Sequence, residues 1–472
     1  MKRLFIFSFF LSSLFLSVSN VSAATVSVLS GSSINSAIQS AQSGDTVQVN
    51  AGVYKEQVDI SKPVTLVGSG AVWIDGDCSK RYGIQIIASN VTIRGIGVKK
   101  THEQGIIVRN TSSSNITIEG NTVQDFNCQD GGDNFAAGVA SWYGGSNIKV
   151  INNTITRRVE ISGNQAGKGN GIWFKSNNEN PSGGGHTISG NTITGGYDGI
   201  GGEEEGSDRG SFDKNTTIEN NTIKDCWDDG IQVEGGDVNI TVKNNRIEGC
   251  GIGIAFAANK IGPLNIENNT IQGDTGKRGV HGQLACYKLG RGGNGTTYLT
   301  ANDCRIPGTS NGGNGFAQTN KGLSPIVSRK NVLVVSRYVM EFSDSPPAGS
   351  SFDEDCMYTS DTGRFIKWGG KRYSNFNEFK SGTSLEGNGV YSQNCSSSAV
   401  SPTNQPNIPT TTQPPLPTKI TTTPTPAPTP TPTQSATQNT ATESKKVQPK
   451  NWFENTFGNF ILWFQSLFGS RK

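Results

Sequence analysis

Acidic residues recur at matching positions in the middle of the chain. Asp198 and Asp229 each stand directly before a glycine, and Glu203 and Glu234 each follow five residues later. Carboxyl groups held close together can act as a general acid with a base or nucleophile, or they can bind a divalent cation. The sequence therefore predicts a site whose chemistry depends on carboxylates.

Basic, aromatic and polar residues accompany these acids. Lys175 and Arg109 are candidate catalytic bases beside Glu203 and Glu234. Aromatic rings stack on the apolar faces of sugars while polar groups bind hydroxyls, so we expect exposed aromatic side chains here to form a sugar-binding groove. The candidate substrate contacts are Trp142, Trp173, Tyr197, Gln232 and His281. The candidate metal ligands, for Ca²⁺, are Asp198, Asp228, Asp229, Glu203 and Glu234.

A repeated turn predicts how these residues are positioned. A short β-branched run, an Asn, then Thr or Arg and an aliphatic residue recur along the chain. The repeated Asn residues are Asn121, Asn153, Asn191, Asn221, Asn245 and Asn269. Their shortest spacing is 24 residues, which indicates a solenoid whose turns carry insertions. Aligned Asn residues can bond from coil to coil, and Asn tolerates the left-handed backbone of a tight turn.

A second strand in each coil is predicted to begin with glycine. The starts are Gly105, Gly138, Gly171, Gly199, Gly230, Gly253 and Gly279. Alternation turns the first and third following residues inward and the second and fourth outward. One outward column then contains Arg109, Trp142, Lys175, Glu203 and Glu234, and the other contains Trp173, Gln232 and His281. Stacked like charges destabilise a sheet, and a cation, Lys175 or a protonated carboxyl would relieve them.

Composition and the two ends predict an exported all-β protein. Sixty glycines in 472 residues are typical of a turn-rich chain, and a net charge of +3 is too balanced to indicate nucleic-acid binding. Residues 1–23 resemble a signal peptide, with a membrane anchor as the alternative. Residues 396–450 form a Pro/Thr-rich disordered linker, and residues 451–472 an aromatic amphipathic helix or a processed sorting signal. We expect secretion, with the tail contacting a membrane or the cell envelope and retaining the protein at the cell surface.

The region 24–395 resembles the pectate-lyase-like right-handed parallel β-helix proteins. Besides the Asn repeat, the resemblance rests on a predicted N-terminal capping helix over residues 34–41, a following Gly-Asp-Thr-Val segment, and a closing segment at residues 365–373 with a short helical cap. It implies an all-β solenoid but is weak for activity, since the family contains lyases, hydrolases, epimerases and non-enzymes.

Eight cysteines lie between Cys78 and Cys395. Cys226 and Cys250 each follow their repeat Asn by five residues, which places them in adjacent coils and within reach of a disulfide. Two buried free thiols are the alternative.

The favoured function is cleavage of an acidic polysaccharide by β-elimination. Ca²⁺ would neutralise a uronate carboxylate while Lys175 or Arg109 removes the α-proton, which resembles the family's lyases, although no diagnostic lyase signature is present. A retaining glycoside hydrolase would use Glu203 and Glu234 as a pair. An epimerase using Tyr197 with Lys175 or His281 is a further alternative. A non-catalytic glycan-binding or adhesin solenoid also fits the pattern.

Overall fold

The computed structural model describes residues 23–128, 136–157, 169–203, 210–273, 285–306 and 313–396, with the backbone alone at residue 203. The predicted signal peptide, linker and tail fall almost entirely outside these residues. Within them the chain winds into a parallel β-helix, in which each complete coil contributes three short strands. The predicted all-β solenoid is therefore confirmed.

One sheet carries the glycine-led strands. In the described residues it has 13 strands, and they are parallel except for the final pair. The strands are Val58–Ile60, Ile84–Ile86, Ile106–Arg109, Ala137–Trp142, Asn170–Lys175, Ile200–Glu203, Asp229–Gln232, Ile252–Ala255, Ala285–Leu289, Asn314–Gln318, Met340–Glu341, Ile366–Trp368 and Lys371–Tyr373. We call its outer surface the outer face of the 13-stranded sheet.

The rest of each coil forms a second, 24-stranded sheet with two columns on either side of a tight turn. The column before the turn contains Thr25–Val28, Thr46–Tyr54, Thr65–Asp75, Val91–Arg94, Ile116–Glu119, Ile148–Ile151, Thr187–Ser189, Thr217–Glu219, Ile240–Lys243, Leu264–Glu267, Thr297–Thr300, Ile326–Arg329 and Ser351–Asp353. The column after it contains Gly97–Lys99, Thr122–Gln124, Thr154–Thr156, Thr192–Thr194, Thr222–Lys224, Arg246–Glu248, Thr270–Gln272, Asp303–Ile306, Val332–Val335, Cys356–Thr359 and Val390–Tyr391.

The tight turn holds the predicted asparagine ladder. Asn121 Nδ2 donates to Asn153 Oδ1 at 3.1 Å, and Asn153 Nδ2 donates to Asn191 Oδ1 at 3.0 Å. The ladder continues through Asn221, Asn245, Asn269, Asn302 and Asn331, and it ends at Asp355. The prediction is confirmed and extends beyond the six Asn residues of the repeat. These buried amides are satisfied because each finds its partner in the next coil.

The left-handed residue of this turn is the one before the ladder Asn. Asn152, Asn220 and Asn244 have φ values of 55°, 56° and 55°. A short polar side chain adopts this conformation more readily than other non-glycine residues do. The repeated Asn-Asn pair therefore divides its work, since the first residue makes the turn and the second makes the ladder.

Inward aliphatic side chains fill the interior of the β-helix, and a short α-helix covers each end. Ile172, Ile200 and Ile231 are fully buried and stack in successive coils. The N-terminal helix α1 (Ile34–Ser40) buries Ile34 and Ile38, and the C-terminal helix α2 (Phe376–Thr383) buries Phe379. Both predicted caps are confirmed, and they shield apolar coils that a solenoid would otherwise expose at its ends.

Disulfides link neighbouring segments of the helix. The predicted pair Cys226–Cys250 is present, with Cα atoms 4.6 Å apart. The remaining pairs are Cys78–Cys128, Cys286–Cys304 and Cys356–Cys395. A fully oxidised set is typical of proteins that fold in an oxidising compartment. Of the helices in the described residues, neither has the length and apolar character to cross a membrane.

Candidate active site

The predicted glycine column is correct for six coils and wrong for the seventh. A Cβ on Gly253 would lie 2.6 Å from the carbonyl oxygen of Cys286, so Cys286 occupies the next position of the column. Tyr287 pairs with Ile254 and Lys288 pairs with Ala255. The prediction failed because the seventh strand carries Cys where its predecessors carry Gly. Gly279 and His281 lie outside the described residues, and the outward position predicted for His281 belongs to Lys288.

Three aspartates meet on the outer face of the 13-stranded sheet, where two of its central strands begin. The backbone N–H of Asp229 donates to Asp198 Oδ1 at 2.9 Å, which fixes the two carboxyls in adjacent coils. One carboxylate oxygen from each of Asp198, Asp228 and Asp229 lies within 4.8 Å of the others. Asp198 and Asp229 are buried, whereas Asp228 is half-buried. We call Asp198, Asp228 and Asp229 the aspartate cluster.

Lys288 supplies the positive charge of this cluster from two coils away. Its Nζ lies 2.6 Å from Asp229 Oδ2 and 3.8 Å from Glu234 Oε1. Ala255 lies on the strand between Lys288 and Gln232, and its small side chain leaves room for the lysine stem to cross one coil. The ammonium therefore joins the aspartate cluster to Glu234.

The charges of these groups favour one proton on the aspartate cluster. Burial, and next the Asp228 carboxylate, raise the pKa of Asp198 to about 8. Burial raises the pKa of Asp229 well above its ordinary value, although the ammonium of Lys288 opposes that rise. Although burial lowers the pKa of Lys288, the Asp229 and Glu234 carboxylates raise it well above its ordinary value. The cluster therefore holds at least one proton, and the 2.6 Å contact with the charged Lys288 favours Asp229 as the ionised member and Asp198 as the protonated one.

Polar neighbours complete the cluster. The hydroxyl of Tyr197 donates to Asp228 Oδ2 at 3.2 Å, and Gln232 Nε2 lies 3.4 Å from Glu234 Oε2. Burial and then the Asp228 charge raise the pKa of Tyr197 well above its ordinary value, so the hydroxyl keeps its proton. The structure thus brings together Tyr197, Asp198, Asp228, Asp229, Gln232 and Glu234 from the predicted site.

The two predicted tryptophan contacts are not exposed. Trp142 retains 8% of its exposure and Trp173 retains 5%, and both pack with Tyr82, Ile107 and Ala140 on the outside of the sheet. The expectation of exposed stacking surfaces is wrong because outward-facing apolar residues in neighbouring coils cover one another. Trp227, which immediately precedes Asp228, is half-buried beside the cluster and was not predicted.

The predicted basic residues lie with these aromatic rings. Arg109 Nη1 donates to the Tyr82 hydroxyl at 2.8 Å, and Lys175 Nζ lies 5.5 Å from the centre of the Trp142 ring. The strand register places Arg109, Trp142, Lys175 and Glu203 in successive coils, as predicted. Arg109 is three strands from Glu203, roughly 14 Å, so the structure does not bring it to the aspartate cluster. The Glu203 side chain lies outside the described residues.

The aspartate cluster offers the oxygen donors that calcium prefers, but its geometry suits the ammonium. Ca²⁺ takes six to eight oxygen ligands. Here Asp229 Oδ2 is bound to Lys288 and Asp228 Oδ2 accepts from Tyr197. A calcium ion bound at Asp229 Oδ2 would have to displace Lys288. We therefore derive no chemical step through calcium.

Lys288, like Trp227, was not predicted from the sequence. The search for a glycine before each strand excluded the strand Ala285–Leu289, where Cys286 stands instead. The alternation of Tyr287 and Leu289 inward with Lys288 outward was visible in the sequence. Requiring alternation, and not glycine, would have predicted a lysine in the column of Gln232.

Comparisons with known proteins agree with this architecture. The model of a right-handed β-helix region matches residues 156–283, and a family of unknown function, DUF1565, matches residues 31–214. The chain is a right-handed parallel β-helix repeat protein.

Solved structures with similar β-helices share little sequence with this one. An alginate lyase from Paenibacillus sp. str. FPU-7 is 12% identical with a TM-score of 0.39, covering 64% of this chain and 99% of its own. The catalytic domain of a GH87 α-1,3-glucanase in complex with nigerose is 13% identical with a TM-score of 0.47, covering 80% and 69%. A mutant tailspike of E. coli bacteriophage HK620 in complex with a pentasaccharide is 12% identical with a TM-score of 0.42, covering 73% and 72%. No curated protein matches the chain. The function of this β-helix must therefore come from its own residues.

Proposed function

We propose that this β-helix hydrolyses glycosidic bonds of a polysaccharide at the aspartate cluster. The observation that carries the proposal is the contact of Asp198, Asp228 and Asp229 within 4.8 Å, with Lys288 Nζ 2.6 Å from Asp229. Carboxyl groups that share a site but differ in charge supply both a proton donor and a base. Glycoside hydrolysis requires that pair of groups.

The roles follow from the charges. Asp198 holds the proton and donates it to the glycosidic oxygen as the bond from that oxygen to the anomeric carbon breaks. Asp229, kept ionised by Lys288, bonds to the anomeric carbon as that bond breaks, because oxygens within 4.8 Å leave no room for a water between the two carboxyls. Asp198 then takes a proton from the water whose oxygen displaces Asp229 from that carbon. Asp229 Oδ2 is bound to Lys288, and among the described residues no donor reaches the buried Oδ1, so Oδ1 is the oxygen left for the reaction. The hydroxyl of Tyr197 holds the third carboxylate, that of Asp228, in place beside the reacting bond.

A long polymer is the substrate that suits the position of the cluster. Asp198 lies two residues before the sixth of the 13 strands, and Asp229 begins the seventh. At about 4.8 Å per strand the face extends roughly 60 Å, so subsites can lie on both sides of the reacting bond. Trp227 and Tyr197 are half-buried aromatic residues that a sugar ring can contact, and Gln232 and Glu234 can bind hydroxyls.

β-Elimination remains a prediction that these contacts favour less. It needs an uncharged base, whereas Lys288 is held protonated by two carboxylates. Lys175, the predicted base, lies beside the rings of Trp142 and Tyr143. The Glu203–Glu234 pair of the retaining hydrolase also remains a prediction, because the Glu203 side chain lies outside the described residues.

The test is a panel of neutral and acidic polysaccharides incubated with the exported protein. New reducing ends and the ultraviolet absorbance of unsaturated uronates are followed together. Reducing ends without absorbance, lost in Asp198→Asn and Asp229→Asn but kept in Asp59→Asn on an exposed position of the same sheet, support hydrolysis. Absorbance that disappears in Lys175→Ala would establish elimination. Glycan binding without either product would make the protein a binding module.

Export and retention at the cell surface are part of the same proposal. They rest on the signal-like residues 1–23, the Pro/Thr-rich linker and the aromatic tail. Immunoblots of medium, envelope and cytosol, with and without residues 451–472, test both points. Envelope association that depends on the tail supports them, and protein confined to the cytosol contradicts them.

A further inference from the structure

A cleft at the C-terminal end of the β-helix lies apart from the aspartate cluster. It encloses about 460 Å³, within the usual range for small-ligand sites. Its walls come from the strand Cys356–Thr359, the following turn, the start of α2 and Tyr391. The strand Thr222–Lys224 comes just before Asp228 and Asp229 in the chain. The strand Cys356–Thr359 lies five coils beyond it, roughly 24 Å along the β-helix axis.

Two tyrosines form an aromatic surface in this cleft. The rings of Tyr358 and Tyr391 have centres 5.7 Å apart and are inclined by 33°, and the rings of Phe365 and Tyr391 pack nearly perpendicular with centres 5.6 Å apart. Tyr391 keeps 46% of its exposure, and it is among the few large apolar side chains of the described residues that stay exposed. An exposed aromatic ring fixed by its packing against neighbouring rings can stack on the apolar side of a sugar.

Apart from these rings and Phe376, the described lining is polar and uncharged except for one carboxylate. Ser360, Thr362, Ser374 and Asn377 are exposed and offer hydroxyl and amide groups. The carboxylate, Asp361, accepts from Gly363 N–H at 2.8 Å and lies 3.6 Å from Arg364. The lining contains neither lysine nor arginine among the described residues. Such a surface matches a ligand with many hydroxyls and no charge.

A disulfide holds the two tyrosines in place. Cys356 lies two residues before Tyr358, and Cys395 lies four residues after Tyr391. The bond between them crosslinks the two segments that carry the rings, in addition to the pairing of their strands. A site fixed before binding loses less conformational entropy when the ligand arrives.

We propose that this cleft binds a neutral oligosaccharide segment, separately from the aspartate cluster. Tyr391 stacks on the sugar, and the hydroxyl and amide groups of Ser360 and Asn377 bind its hydroxyls. The site goes beyond the hydrolytic function and does not depend on it, because none of the proposed catalytic residues lines the cleft. The cleft would hold one segment of a polymer while the aspartate cluster cleaves another segment of the same polymer.

Calorimetric titration of the full chain tests the site. The background is Asp198→Asn, so that probes are not consumed. The probes are cellotetraose, laminaritetraose and maltotetraose, with trigalacturonate as the charged comparison. We expect one neutral probe to bind about tenfold more weakly to Tyr391→Ala, the size expected for one lost stacking contact. Tyr391→Phe should bind normally, and so should Tyr298→Ala, another exposed tyrosine outside the cleft.

Asn377→Ala gives a second measure that leaves the aromatic packing intact, and it should weaken the same probe several-fold. Absence of binding by every neutral probe would overturn the proposal. So would binding that neither Tyr391→Ala nor Asn377→Ala changes, or Tyr391-dependent binding of trigalacturonate alone. With Asp198 intact, Tyr391→Ala should cleave short soluble substrates normally, which separates failure of this site from failure of the catalytic proposal.

Discussion

Lys288 and Asp229 are 59 residues apart in sequence, yet their Nζ and Oδ2 atoms lie 2.6 Å apart in the folded chain. The contact crosses two coils of the β-helix and is almost completely removed from water, with 14% and 1% of the side chains exposed. A buried pair of this kind costs free energy when only one partner is removed, since the other charge is left alone. Lys288 therefore controls the charge of the whole aspartate cluster.

Lys288→Met should reduce kcat/KM roughly 100-fold, because the charge that keeps Asp229 ionised is lost. The pKa of Asp229 should also rise, so the acid side of the pH profile should move to higher pH. The measurement is kcat/KM as a function of pH. Lys367→Met is the matched control, since Lys367 lies in the same outward column three strands further along. An unchanged profile in Lys288→Met would show that Asp229 does not need the ammonium.

Activity should fall at alkaline pH as Asp198 loses its proton. Since the pKa of Asp198 is about 8, kcat/KM should decrease about tenfold per pH unit above that value. Asp198→Asn should lose roughly 1000-fold in kcat, because the amide cannot donate this proton. Steady-state kinetics between pH 5 and about 10 check both effects. A rate that stays level beyond about pH 9 would exclude Asp198 as the proton donor.

Chelation should leave hydrolysis within about twofold of the untreated rate. Lys288 already supplies the counter-charge to Asp229, so we expect the reaction to proceed without calcium. The measurement is the initial rate after dialysis against EDTA and after addition of Ca²⁺, with the melting temperature followed in parallel. A rate abolished by EDTA and restored by Ca²⁺, at constant melting temperature, would place the ion in the site and displace Lys288.

Asn221→Ala should destabilise the β-helix by roughly 2–4 kcal/mol. The side-chain oxygen Oδ1 of Asn221 accepts from the backbone N–H and from Nδ2 of Asn191. Nδ2 of Asn221 donates to the Ile188 carbonyl and to Asn245 Oδ1. Removing it leaves several buried groups without partners. Urea unfolding gives the free energy of unfolding. Asn265→Ala, on a half-buried outward position, is the control and should change little.

The end of the ladder should make the protein less stable at alkaline pH. Glu386 accepts from the Asp355 N–H at 3.2 Å, and burial together with the Asp355 charge raises the pKa of Glu386 to about 9. A carboxyl that binds its proton more tightly in the folded state than in the unfolded state loses stabilisation as pH rises between those two pKa values. The free energy of unfolding should therefore fall from about pH 5 to about pH 9.

Glu386→Gln should flatten that decline, because the amide keeps a donor without ionising. Urea unfolding at several pH values measures the slope. Glu354→Gln, on an exposed neighbour of Asp355, should keep the slope of the parent. An identical slope in Glu386→Gln would attribute the pH dependence to other groups.

Much of the fold could be predicted because its local patterns repeat. The Asn of each tight turn, the alternating aliphatic strands and the Cys226–Cys250 pair all depend on neighbours one coil away, so a fixed spacing in sequence becomes a fixed contact in space. The meeting of Asp198 with Asp229 followed from the same register.

What only the tertiary structure decided were the properties that depend on more than one coil. Lys288 reaches Asp229 because Ala255 is small, and Trp142 and Trp173 are buried because outward residues of neighbouring coils cover them. The pKa of Asp198 depends on burial and on the charges around it, which no spacing expresses. The sequence by itself determined the solenoid and its acidic face, since these arise from a repeat. Which carboxyl of the aspartate cluster holds a proton was decided by the tertiary structure. It depends on burial and on Lys288, which lies two coils away on a strand that departs from the repeat.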